Sequence, residues 1–197
     1  MKTLAKFPPP ENSQRIDPTW DWNGIRIVGN SMCQGNSSQD LLISLAFEFN
    51  LKTIKRIDTY NYYAMYFGFL EKFDPDVVTR SEMMDWRYHG SFLQDFCKNN
   101  DLPVNVVGYS SIGDEPLDPE KTKFESQFEI KHFDGSAQFI HDTLVRTGRP
   151  VSIGTLILPS GHWKRIHGSD DKAKLFYRND PFGTYPYDKP ELKKLIS

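Results

Sequence analysis

The apolar run Val151 to Leu158 constrains this chain more than any other stretch. It is rich in β-branched residues and bounded by Gly148-Arg149-Pro150 on one side and Pro159-Ser160-Gly161 on the other. Such a run, closed by turn formers, predicts a buried strand. A second strand is expected from His162. A third, Ala173 to Arg178, should follow the polar turn Ser169-Asp170-Asp171-Lys172. A histidine at the mouth of one strand and an aspartate at the end of the next, here His162 and Asp180, can then lie side by side. A carboxylate in that position fixes the tautomer of an imidazole, which is the rear half of a Cys/Ser-His-Asp arrangement.

Upstream, the chain reads as an extended arm followed by helices. Residues 1–24 contain Pro8-Pro9-Pro10, which favours polyproline II, and Trp20-Asp21-Trp22, which can dock against the body. Ile25 to Val28 alternates weakly and suggests a short strand. The loop Gly29 to Ser37 then feeds a helix capped by Ser37 or Ser38, with Asp40 in its first turn and Leu41, Leu42, Leu45, Ala46 and Phe49 as its buried stripe. Further helices are expected over Thr59 to Phe73, Ser81 to Asn99 and Ser136 to Thr147, and a short one over 188–196. Leu102 to Val107 and Phe124 to Phe133 read as strands, with a loop over Gly108 to Lys123. Helices first and an antiparallel sheet afterwards make an α+β domain over 25–197.

Composition narrows the function classes. The 197 residues are enough for one compact domain with a core of its own, and the net charge of -2 supplies no basic field for nucleic acid or an anionic membrane. Two cysteines, Cys33 and Cys97, are too few for a disulfide scaffold, and no metal site suggests itself among the five histidines. No apolar run approaches the roughly 20 residues that span a bilayer, and the first residues carry no signal-peptide core. A soluble chain made in a cytoplasm is expected.

The wording Gly148-Arg149-Pro150-Val151, then Ser160-Gly161-His162-Trp163, then Asn179-Asp180-Pro181-Phe182-Gly183 resembles the papain-fold cysteine peptidases related to the bacteriocin-processing peptidases, a group with many bacterial and phage members. The likeness covers about the last third of the chain and, more loosely, the region of Cys33. It implies a papain-like fold in which the nucleophile helix leads and the strands bring the histidine. It also implies a cofactor-free reaction with Cys33 as nucleophile, His162 as general base and acid, and Asp180 as the group that orients His162. The substrate would be a peptide or protein, with a cell-wall peptide as the phage side of the likeness.

A cysteine attacks as the thiolate, and a helix N-terminus or a neighbouring imidazolium lowers its pKa. Cys33 precedes a predicted helix, where free backbone N–H groups point. A lone cysteine beside Met32 reads equally as a small buried hydrophobe. Family members run from the cysteine straight into the helix, whereas Gly35 stands in that turn here. A different register would place Asn36 or Ser37 at the nucleophile position. Cys97 follows Leu93 and Phe96 on an amphipathic helix and reads as core. Asn179 could orient His162 in place of Asp180, and Asn179-Asp180-Pro181 is also ordinary turn chemistry. His167, five residues beyond His162, should face the other side of a regular strand.

The family places a glutamine shortly before the cysteine as oxyanion donor. Here no Gln precedes Cys33 more closely than Gln14, so Asn30, Gln34 or Asn23 is expected to serve with the Cys33 backbone N–H. That departure keeps a second class open: a catalytically silent papain-fold module that binds a peptide or host protein. A structural phage component is a third.

Overall fold

A computed structural model describes residues 2–5, 20–22, 25–27, 33–52, 54, 57, 59–73, 86–110, 128–157, 160–172, 175–179 and 191–194. In chain order the elements are β1 (Lys2–Leu4), β2 (Trp20–Trp22), β3 (Ile25–Ile27), α1 (Cys33–Glu48), α2 (Thr59–Phe73), α3 (Trp86–Asn99), β4 (Val107–Ser110), β5 (Glu129–His132), α4 (Ala137–Thr147), β6 (Val151–Ile157), β7 (Ser160–Asp170), β8 (Leu175–Asn179) and β9 (Glu191–Lys194). The mixture of helices and small sheets is α+β. The chain forms two compact units, one of residues 1–62 with 137–197 and one of residues 63–136.

The first unit is built on β7. β6 pairs antiparallel with Ser160 to Ile166 of this long strand, and β1 pairs with Gly168 to Asp170. β8 pairs with Arg165 to Asp170, overlapping the partners of both β6 and β1, and therefore occupies the opposite edge. β1 and β6 thus share one edge in succession, and β9 extends the sheet beyond β8. Lys2–Leu4 falls within the stretch expected as an arm, yet it is a strand of this sheet.

Neighbouring residues on a strand face opposite sides, and β7 uses both. Ile166 joins Leu144 and Phe176 in a buried cluster, with Ile140, Val151 and Ile153 against it, so α4 covers that face. Arg165 meets Asp40 of α1 on the other face. Each buried aliphatic or aromatic side chain in these layers is worth roughly 1.5–3 kcal/mol of transfer free energy. At the far end of α1, Arg149 donates from Nε and Nη2 to Glu48, both at 2.8 Å, and joins the helix to the start of β6. Gly148, with φ of 64°, takes the left-handed conformation that ends α4.

The second unit contains a parallel pair, β4 with β5, in contrast to the antiparallel C-terminal sheet. The Phe128 ring lies where a Cβ on Gly90 would stand, and the Trp86 and Phe128 rings where one on Gly108 would, so both glycines serve close packing. Tyr63, Tyr66, Phe67, Phe69, His89 and Phe92 form the aromatic core of α2 and α3.

Several local expectations shift. The helix expected to be capped at Ser37 or Ser38 begins at Cys33, so Asp40 lies two turns in and the serines are interior. The strand expected over Leu102 to Val107 lies at Val107–Ser110, because Val106 N–H is taken by Gln94 Oε1 at 2.8 Å. The helix expected over 188–196 contains a strand, β9, drawn out by pairing with β8. A register shift between Ile166 and Gly168 sets His167 apart from regular alternation, so the face assigned to it from spacing does not follow.

His167 is buried beside Arg165. Desolvation, and then the guanidinium charge, push its pKa down to about 4. The unfolded chain takes up that proton near pH 6.5, so stability present above about pH 6.5 drains away as pH falls toward 4, by about 1–3 kcal/mol. Urea unfolding at pH 7 and pH 4.5 measures this, and His167→Gln should flatten the difference. Leu144→Ala, in the buried cluster, should cost about 2–5 kcal/mol in the same assay.

Candidate functional site

α1 is unusual in how it is buried. Gln34, Gly35, Asn36, Ser37, Ser38, Gln39 and Asp40 form an unbroken polar run, and every one is buried. Polar groups withdrawn from water need internal partners, and several are found at or just before the start of α2, although Ser37 Oγ has none among the described residues. Thr59 Oγ1 lies 3.2 Å from Asn36 Oδ1 and 3.1 Å from Gln39 Oε1, with one proton to share between them. Gln39 Nε2 donates to the Ile57 carbonyl at 2.9 Å. The Tyr62 hydroxyl is hydrogen-bonded to Ser38, and its burial pushes the phenol far up.

Cys33 opens this helix as its first residue, half-buried, with a free thiol. Placed there, sulfur meets the positive end of the helix dipole. His162, on β7, is hydrogen-bonded to the Cys33 thiol, and the backbone N–H groups of Trp163 and Gln34 also point at the sulfur. Burial is the largest single influence and pushes the thiol pKa up. The His162 hydrogen bond, the Trp163 N–H, the imidazolium charge and the Gln34 N–H together overcome it, and the pKa lies below the usual thiol range. Two side chains far apart in sequence therefore form one acid–base pair.

Beside His162 on β7, Trp163 packs against β6. Gly154 lies opposite Trp163 across the strand pair, and a Cβ at Gly154 would stand 2.8 Å from the indole. Only glycine lets the Trp163 ring lie against the β6 backbone beside His162.

Comparison with family models, with curated proteins and with solved structures yields no match.

Of the residues singled out from sequence, Cys33 and His162 come together. Asn36 and Ser37, the alternative nucleophile positions, are each 0% exposed. Gln34 is buried in the first turn of α1, with its backbone N–H directed at sulfur. Asn179 ends β8 opposite Arg165. Asp180, Asn30 and Asn23 lie outside the described residues. Cys97 is buried in α3. His89 is buried and stacked on Tyr66 at 4.1 Å, His132 is exposed, and His141 Nδ1 lies 2.8 Å from Ser169 Oγ. Among the described residues no three His, Cys, Asp or Glu side chains converge as a metal site would need, and no helix is long and apolar enough to cross a membrane.

Sequence reasoning missed three participants: the Trp163 N–H, Thr59 and Arg165. A main-chain donor leaves no mark in composition. Thr59 reads as an ordinary helix start. Arg165 gave little signal, since β7 reads Ser-Gly-His-Trp-Lys-Arg-Ile-His-Gly-Ser-Asp and a cation in so polar a strand calls for a counter-charge only once it is buried.

The pair predicts a measurable reactivity. Iodoacetamide should alkylate Cys33 at pH 6 at least tenfold faster than free cysteine, with the inflection of the rate profile below the usual value of about 8.5. His162→Ala should return the profile to that of an ordinary thiol.

Proposed function

We propose that this chain is a papain-like cysteine peptidase or amidase that cleaves a peptide or amide bond through a thioester intermediate. The observation that carries the reading is the hydrogen bond between the thiol of Cys33, at a helix N-terminus, and the His162 ring, with the thiol pKa held low. Nucleophile, base and activating dipole are the parts that covalent acyl transfer requires. The likeness of the Ser160-Gly161-His162-Trp163 and Asn179-Asp180-Pro181 wording to bacterial and phage papain-fold peptidases supports the same chemistry.

In this mechanism the Cys33 thiolate adds to the carbonyl carbon, and the carbonyl electron pair moves to oxygen. The oxyanion is held by the backbone N–H of Cys33, with Asn30 or Gln34 as side-chain donor. Collapse expels the amine, which takes its proton from the His162 imidazolium, and leaves an acyl-thioester on Cys33. Neutral His162 then removes a proton from water as it adds to the thioester. The second collapse releases the acid, and the thiolate–imidazolium pair is restored. Asp180 accepts from the far ring nitrogen of His162 and keeps it aimed at sulfur, with Asn179 as the alternative. A cross-linking peptide of bacterial cell wall is the substrate class that the phage likeness favours.

The absence of a Gln close before Cys33 favours a second reading, a catalytically silent papain-fold module that binds a peptide or host protein. The two separate on release of amine groups from purified peptidoglycan or from a peptide mixture. The peptidase reading expects turnover, and a loss of a thousandfold or more in Cys33→Ala and in His162→Ala. Peptide binding by wild type and Cys33→Ala alike, with no amine released by either, would establish the silent module instead.

A further inference from the structure

One more contact joins the two elements that carry the thiol and the imidazole. Asp40 Oδ2 on α1 and Arg165 Nη1 on β7 are 3.8 Å apart, with side-chain exposures of 1% and 2%. At that separation they form an ion pair without a hydrogen bond. Arg165 Nε and Nη1 find no hydrogen-bond partner among the described residues. Burial pushes the guanidinium down to about 10, against the pull of Asp40 in the other direction. A pair so thoroughly desolvated is a poor stabiliser, because the cost of taking both ions out of water cancels most of their attraction. Its value has to be sought in where it stands.

The spacings on the two elements match. Asp40 follows Cys33 by seven residues, two helical turns, so both lie on one side of α1 about 10.5 Å apart along its axis. Arg165 follows His162 by three residues, about 10 Å along β7. This odd offset on a bulge-free stretch turns the two side chains to opposite faces, so the match is one of height along the elements and not of face. A pin at Arg165 fixes how far along β7 the helix sits, and with it the height at which Cys33 stands beside His162. A buried ion pair serves this purpose better than apolar contact, because sliding α1 by one residue would leave two unpaired buried charges, whereas an apolar contact would re-form.

We propose that Asp40 and Arg165 are positioning residues that hold α1 on β7 in the register at which the Cys33 thiol meets the His162 ring. The proposal rests on the reading of Cys33 and His162 as nucleophile and base. The pair touches neither sulfur nor substrate and acts through the alignment of the two elements.

The iodoacetamide rate profile of Cys33 tests this, because alignment and simple electrostatics predict opposite signs. Asp40→Asn is nearly isosteric and removes a negative charge. By field alone it favours the thiolate and moves the inflection down. Loss of register weakens the His162 hydrogen bond and moves the inflection up, and alkylation at pH 6 then slows about tenfold for each pH unit that the inflection rises. The double variant Asp40→Leu/Arg165→Met removes both charges at constant net charge, and buried pairs replaced in this way commonly leave a protein folded. We expect both variants to show native circular dichroism, with alkylation at pH 6 slowed tenfold or more. A folded variant that keeps the wild-type profile, or moves its inflection down, overturns the proposal. Should neither variant fold, Asp40→Glu decides. It keeps both charges but adds a methylene, so a raised inflection supports the pin and an unchanged one refutes it. If wild-type Cys33 itself behaves as an ordinary thiol, the nucleophile reading fails first.

Discussion

The enclosure of the polar first half of α1 is the constraint on which the rest of the first unit depends. Seven buried residues from Gln34 to Asp40 supply amide, hydroxyl and carboxylate groups with little access to water. An unpaired buried polar group costs about 1–3 kcal/mol and a charge considerably more. The surroundings are therefore specified closely: Thr59 and the Ile57 carbonyl for the amides, Tyr62 for Ser38, Arg165 for Asp40. Apolar packing tolerates sliding, but hydrogen bonds of this kind do not. A helix held this way presents its N-terminus at a fixed place, and Cys33 stands there.

The sheet supplies the complementary rigidity. β7 is flanked by β6 and β1 on one edge and by β8 on the other, and α1 and α4 cover its two faces. His162 lies near the β6–β7 turn, on a strand with pairing partners along most of its length. Side chains on such elements are held more precisely than those on loops, since neither partner can swing independently. The low thiol pKa arises from this arrangement: burial alone would raise it, and only donors held close to sulfur reverse the sign.

How much of this the sequence disclosed varies with the kind of information involved. β6, β7, α2 and α4 follow from periodicity and turn residues, whereas the pairing of Cys33 with His162 is implied only by the resemblance to the papain-fold peptidases. The start of α1 was hidden because Gln34 to Gln39 has loop composition, and only burial by distant segments turns it into helix interior. Glu191–Lys194 has helix-forming side chains, yet a free edge on β8 draws it into a strand. The bulge at His167 and the N–H of Trp163 are backbone events that no side-chain pattern encodes. Arg165 and Asp40 were visible individually, but their meeting depends on the register of a helix against a strand.

The position of β1 has a consequence for how the protein is made. Lys2–Leu4 completes one edge of β7 at Gly168 to Asp170, so nearly the whole described chain must leave the ribosome before that edge can close. Translation proceeds at about 5–20 residues per second, and pairing of such distant strands is slow. Cys33 emerges early and has to wait for His162. During synthesis its sulfur is an ordinary thiol, and the donors that lower its pKa arrive only when β7 docks.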